Sequence, residues 1–334
     1  MASLVRVGVY VPVWERGGHR VPGPDEDAFT LAATAVERAI GDGGDPRGPI
    51  WVDLVGDAGG IDLAALSAFV GPDAEIHPSS GADADLVSVV RSAAASPADG
   101  LVVAADLGRA AVDAGAVAWL FAAGAPTVPY AGGADSAPGA RGPVALARSW
   151  AARAAPAELR RWVGDVASIA SEARPLPTEV APTAAPPSRA VSEGALVPRP
   201  QYLEAVPGHW RFRAERCSHC GRIGFPARGR CRECGRDDGL AEVGLPLDGG
   251  TVVATTWIGK GGQPTEFDPQ VEATGSFGVA LVDLAPGARA TLQITDAAPG
   301  ELRIGSRVGT RLRRSYSLEG EWRYARKAVP LPAR

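Results

Sequence analysis

Residues 217–235 read CSHCGRIGFPARGRCRECG and hold every cysteine of the chain: Cys217, Cys220, Cys231 and Cys234. Two Cys-x-x-Cys pairs, each followed by glycine, face each other across ten residues, and no thiol is left over. Four thiolates at these spacings suit a tetrahedral ion, each pair supplying two ligands. Zn²⁺ is the expected occupant, with iron as the alternative thiolate-held ion. Gly221 and Gly235 follow the second cysteine of each pair, where a positive φ lets backbone N–H groups turn toward the sulfurs. Protein fills all four positions, so no coordination site stays open for water or substrate, and the expected metal is structural. His219, inside the first knuckle, is expected to be a solvent-facing turn residue rather than a fifth ligand.

Working outward, the 334 residues suffice for two domains, and 46% hydrophobic with 22% charged residues is the composition of a globular protein. No apolar run approaches the ~18 to 20 residues of a spanning helix. The opening MASLVRVGVYVPVW alternates like a strand and lacks the basic and apolar regions of a signal peptide. A cytoplasmic location is therefore expected, where paired Cys-x-x-Cys elements favour a metal over disulfides. The basic residues are 32 Arg and two Lys, Lys260 and Lys327. With abundant Ala, Gly and Pro, this reflects codon usage and says little about nucleic acid. Their distribution says more. Residues 1–174 hold 13 Arg against 21 Asp and Glu, net −8, whereas residues 175–334 hold 21 Arg and Lys against 17 acids, net +4. Two modules with different surfaces are implied.

The boundary between them is ARPLPTEVAPTAAPPSRAVSEGALVPRP, residues 173–200, with seven prolines. Proline fixes φ and lacks a donor, so this stretch reads as an extended linker. Before it, strand-like runs at 5–13, 49–55, 75–78 and 101–106 alternate with helical spacing at 26–40, 61–70 and 82–95. A further apolar run, 115–124, follows the fourth strand too closely for a helical crossover and should pair antiparallel. The expected fold of residues 1–172 is thus α/β, a mixed and mostly parallel sheet with one antiparallel member. Residues 143–172 should add one or two helices anchored by Trp150 and Trp162. After the linker, a short helix over 201–216 is expected to run into the zinc ribbon, making one module of 201–240. Five glycine-punctuated β-runs in 241–334 predict a small barrel of the OB-fold type.

The ribbon is flanked by Arg211, Arg213, Arg216, Arg222, Arg228, Arg230, Arg232 and Arg236. They form either a solvated surface or a phosphate-binding face, and composition does not separate nucleic acid from the nucleotide end of a cofactor.

Residues 200–330 resemble a family of OB-fold proteins with an N-terminal rubredoxin-like zinc ribbon that are associated with acyl-CoA enzymes. The resemblance lies in YLEAVPGHWRFRAERC, in the ribbon with its Phe225-Pro226 pair, and in GTVVATTWIG and FGVALVDLAPGARATLQITD. It implies a chain that binds acyl-CoA thioesters or bridges thiolase-fold partners, with Arg222, Arg228 and Arg230 near the CoA phosphates. The first half is similar to half of a thiolase or hydroxymethylglutaryl-CoA synthase-like fold, through VGVYVPVWERGGHRVPGPDEDAFTLAATAVERAI and LVVAADLGRA. Such enzymes place a cysteine after the third strand, where a helix N-terminus stabilises its thiolate. Here the chain reads HPSSGADADLVSVV, with no cysteine before residue 217. Ser79 and Ser80 read as helix caps rather than nucleophiles, and His77 as a structural strand-end residue. The second half of a thiolase fold is also missing from the pattern.

The expectation is therefore a degenerate half-thiolase fused to a ribbon and barrel: a non-catalytic subunit that docks on a condensing, acyltransferase or aldolase partner. Two further readings are weighed against it. A nucleic-acid-binding ribbon would call for stacking aromatics and a basic groove, against 6% aromatic content and a net charge of −4. A self-sufficient acyltransferase would need a nucleophile that the pattern does not supply. Homo- or hetero-oligomerisation is expected because the apolar runs at 82–95 and 115–124 look like faces of a buried layer.

Overall fold

A computed structural model of the chain describes residues 2–17, 19–40, 51–56, 61–71, 74–78, 100–106, 114–123, 174–175, 197–259, 261–264, 267–318 and 321–331. The expected helices over 82–95 and 143–172, Trp150, Trp162, Ser79, Ser80 and most of the proline-rich stretch lie outside these residues. The chain divides into two compact units, Met1–Thr178 and Glu179–Arg334. Among the described residues no helix is long and apolar enough to cross a membrane.

In the first unit the strands are β1 (Ala2–Tyr10), β2 (Trp14–Arg16) and β3 (His19–Arg20), followed by helix α1 (Ala28–Ile40) and β4 (Trp51–Gly56). Then come α2 (Leu63–Val70), β5 (Glu75–Pro78), β6 (Gly100–Asp106), β7 (Gly115–Ala123) and the two-residue β8 (Arg174–Pro175). Local chemistry sets the helix starts. The Asp27 carboxylate accepts from the Thr30 amide at 2.9 Å while the Thr30 hydroxyl accepts from the Asp27 amide at 2.8 Å. This reciprocal cap starts α1 at Ala28, two residues later than the expected 26. Asp62 caps α2 from one side, its carboxylate accepting from Ala65 N at 3.0 Å.

The main sheet has the order β1-β7-β6-β4-β5. Strand β4 is parallel to β5 and β6, whereas β7 is antiparallel to both of its neighbours, β6 and β1. The expected mixed sheet with one reversed member is present. Helix α1 packs across β1, β7 and β6, and its Phe29, Leu31 and Val36 are fully buried. One expectation needs correcting. Ala116, Val117 and Ala118 of β7 have no exposed surface within the single chain, so this part of the run requires no partner to cover it.

The second unit begins with helix α3 (Arg199–Trp210), so the last two residues of the expected linker, Arg199 and Pro200, are helical. Proline at a helix start is favourable because its missing N–H would be unpaired there anyway. The helix does not continue to 216 as expected. Arg211 N bonds Pro207 O at 3.3 Å, Phe212 adopts φ 48°, and strand β9 (Arg213–Cys217) follows. The reason is burial: Phe212 and Ala214 are needed in the barrel core. Strand β9 lies between β10 (Ile223–Gly224) and β11 (Leu240–Gly244) in a three-stranded sheet.

The barrel consists of β12 (Asp248–Gly259), β13 (Ser276–Ala285), β14 (Ala288–Ile294), β15 (Arg307–Leu318) and β16 (Glu321–Pro330). It closes in the order β12-β13-β14-β16-β15. The five expected β-runs are these strands. Helix α4 (Asp268–Thr274), between β12 and β13, was not expected; Phe267 at its start packs against Phe277 and Tyr316. Closure is weakest between β14 and β16, which pair in parallel only at Gln293–Lys327 and Ile294–Ala328. Below that point α3 supplies the missing hydrogen bonds. Tyr324 N donates to the Tyr202 hydroxyl at 2.9 Å, and Trp210 Nε1 donates to Tyr324 O at 3.1 Å. Tyr202, Val206 and Trp210 form the buried stripe of this helix.

Candidate metal centre

The centre is built by two copies of one backbone device. In the first, Gly221 N bonds Cys217 O at 2.8 Å and Cys217 N bonds Arg222 O at 2.9 Å. In the second, Gly235 N bonds Cys231 O at 3.0 Å and Cys231 N bonds Arg236 O at 2.7 Å. Gly221 and Gly235 have φ 71° and 74°, a conformation that costs glycine little and a β-carbon more. Each knuckle thereby turns its two cysteines to the same side.

The four Sγ atoms lie within 4.8 Å of one another. Cys217 and Cys234 are 3.7 Å apart and Cys220 and Cys231 3.5 Å, with all four sulfurs outside any disulfide. A tetrahedron with Zn–S bonds of ~2.3 Å has S···S edges of about 3.8 Å. The spacing fits a four-coordinate ion closed by protein, and the four cysteines can hold a metal such as zinc. Cys217 and Cys231 are buried and Cys220 and Cys234 exposed, so each knuckle contributes one inner and one outer ligand.

The electrostatics of the thiols point the same way. N–H groups of Cys234 and Glu233 directed at Cys231 bring its thiol down to about 7. Cys220 gains from the Arg222 N–H, but the Cys231 thiol, loss of solvent and the other two thiols together push it up to about 12. Cys234 is likewise raised: the Arg236 N–H lowers it, and desolvation with the Cys231 and Cys217 thiols outweighs this. Negative charge accepted at one sulfur thus opposes charge at its neighbours. A bound cation removes that conflict and lets all four ionise.

His219 lies outside the four-sulfur cluster, its Nε2 3.4 Å from Asp238 Oδ2 at a partly exposed position. The Arg236 guanidinium binds the same carboxylate through two hydrogen bonds, 2.8 and 2.7 Å, and holds Asp238 below the usual carboxylate range, with His219 adding to this. Arg222, Arg228 and Arg230 are exposed. Arg222 and Arg230 line one polar recess of about 230 Å³ together with Arg232, Glu215 and Glu233, and Arg228 lies outside that lining. Arg222 Nε is 3.7 Å from Glu233. The loop carrying Arg228 is held by an acid that sequence reading missed: Glu215 accepts from Arg228 N at 2.9 Å and from Gly229 N at 3.0 Å. Its only signal was an acid in β9 among the surrounding arginines. In the first unit, His77 is exposed, 3.8 Å from Glu75.

No family model matches the chain. The chain is 33% identical over 104 residues to a DUF35 domain-containing scaffold protein of Methanothermobacter thermautotrophicus, covering 31% of this chain and 72% of the relative. A protein of the same description from Methanocaldococcus jannaschii is 32% identical over 99 residues, 30% of this chain and 65% of that protein. Among solved structures, a chain of the Ltp2-ChsH2(DUF35) aldolase aligns over 41% of this chain and 98% of its own length, at 22% identity and a TM-score of 0.31.

Proposed function

The chain belongs to the DUF35 domain-containing scaffold proteins, and from that premise we propose a non-catalytic accessory subunit that binds an acyl-CoA thioester and docks on a thiolase-fold partner. The partner runs a condensation, acyl transfer or aldol cleavage. The observation that carries this reading is the closed four-sulfur centre. It uses every cysteine of the chain, so the bound ion, zinc in this proposal, builds a scaffold and offers no open coordination position. Cys217, Cys220, Cys231 and Cys234 hold it, and the free thiols suit a cytoplasmic setting.

The first unit is read as a degenerate thiolase-like domain. The motif likeness in residues 7–40 and 101–110 supports this, as does a sheet in which β7 alone runs against its neighbours. The CoA phosphates are assigned to Arg222, Arg228 and Arg230, supported by their exposure on the ribbon. The test is recovery of the tagged chain from its native host with identification of what co-purifies, followed by light scattering of the reconstituted pair. A thiolase-fold enzyme in stable stoichiometric complex is expected. A chain that stays alone and ignores such an enzyme at micromolar concentration would overturn the docking role.

A further inference from the structure

On one side the barrel closes over a short span. Strand β12 pairs with β15 only at Asp248, Gly250 and Thr251. The chain leading into β15 carries the contact one residue further: Val252 N donates to Ser306 O at 2.9 Å and Gly305 N to Val252 O at 2.8 Å. Beyond that point β12 continues as VATTWI, residues 253–258, where β13 is its only strand neighbour among the described residues. In an antiparallel pair every second residue turns its N–H and C=O away from its neighbour. This edge therefore presents backbone donors and acceptors that no described strand takes up. Ala254 and Thr256 on it are exposed.

Edge strands are ordinarily guarded by charge, proline or brevity. Strand β5, an edge of the first unit's main sheet, has all three: it is four residues long and carries Glu75, His77 and Pro78. Residues 253–258 have neither charge nor proline, and their Val, Thr, Trp and Ile are strong strand formers. The two faces of the stretch are distinct. Thr255 and Trp257 stand opposite Ala280 and Gly278 of β13, on the side of the core residue Ala280. The Trp257 ring is set against Gly278, its Cζ2 3.1 Å from where a β-carbon of that glycine would stand. Ala254, Thr256 and Ile258 take the opposite face.

An unguarded edge of this sequence is complementary to itself. Laid antiparallel against a second copy and centred on Thr256, it sets each large side chain opposite a smaller one. Ile258 then faces Ala254, Trp257 faces Thr255, and Thr256 faces Thr256. These are the β-branched, hydroxyl and aromatic pairs that stabilise sheets, and with no charge in the stretch no like charges meet. We infer that β12 pairs with β12 of a second copy, joining two barrels through one continuous sheet across a two-fold axis at Thr256. Such a contact is isologous: both open edges are consumed, and assembly stops at a dimer. It stands apart from acyl-CoA binding and from docking on a partner enzyme.

Sedimentation velocity of the full-length, zinc-loaded protein tests this with Thr256→Lys and Thr256→Glu, both at an exposed position. Each substitution sets like charges opposite one another and is expected to weaken the native dimer roughly tenfold or more. Mixed in equal amounts, the two variants should recover the dimer, because lysine then meets glutamate. Melting temperature and zinc content check that each variant folds. Native protein that stays monomeric at high micromolar concentration overturns the pairing, as do variants that dimerise like native protein. Variants that are monomeric both alone and in mixture overturn it too, since the register then fails. A native monomer that binds a partner enzyme instead, with binding lost in Thr256→Lys, gives the edge to a strand of that enzyme and overturns self-pairing.

Discussion

Cys231 is the sulfur on which the metal centre turns. It is buried, it lies 3.5 Å from Cys220, and the N–H groups of Cys234 and Glu233 bring its thiol down to about 7. Those N–H groups favour the thiolate that a cation needs as its ligand. A serine there keeps the volume but offers a poor ligand, and leaves three sulfurs for an ion that prefers four. We expect native protein to carry near-equimolar zinc by elemental analysis and Cys231→Ser to lose most of it. Limited proteolysis of the variant should cut first within the ribbon, residues 217–235, because metal binding here is folding free energy. A Cys231→Ser protein that keeps its zinc and its resistance to protease would show that the ribbon folds without the tetrahedral set.

At the scale of elements, α3 is the least obvious and most consequential piece. It replaces a sheet neighbour: one side chain accepts from Tyr324 N and another donates to Tyr324 O, so a stretch of β16 that β14 does not reach keeps its backbone bonds. Arg199, at its first turn, pairs with Glu321 on β16, and Arg323 beside it holds that carboxylate below its usual range, with Arg199 adding to the effect. Tyr202→Phe keeps the ring under Arg323 and removes only the acceptor, leaving a buried N–H unpaired. A loss of about 1–3 kcal/mol in denaturant unfolding of the second unit is expected, with zinc content unchanged. A variant as stable as native protein would mean that water or a backbone shift satisfies Tyr324. The cysteine quartet was legible in the sequence because spacing alone determines it, and the reversed β7 because a short connection forbids a parallel crossover. The end of α3 was not. Residues 211–216 carry no helix breaker, and what stops the helix is the tertiary demand of Phe212 and Ala214 for the barrel core. The role of Glu215 and the open edge of β12 were illegible for a related reason, since each exists only once strands distant in sequence are brought together.

For the molecule as a whole, the chemistry it can perform alone follows from where its nucleophiles are. Every cysteine is committed to the ribbon, and a thiolate bound to a structural metal within a closed set is withheld from acyl transfer. The remaining route to an acyl-enzyme is a hydroxyl activated by a base. Ser79 and Ser80 directly follow β5 in the sequence, and His77 of that strand is exposed and set beside Glu75. Purified chain should therefore neither condense acetyl-CoA nor cleave acetoacetyl-CoA, and turnover should appear only when the partner enzyme is added. The decisive comparison is rigorously purified native protein against Ser79→Ala and Ser80→Ala, each assayed with and without that partner. Turnover by the chain alone that either substitution abolishes would make it an enzyme in its own right. Turnover with the partner that is indifferent to both substitutions, yet lost when the zinc is removed, is the outcome expected of a scaffold whose metal holds the surface its partner reads.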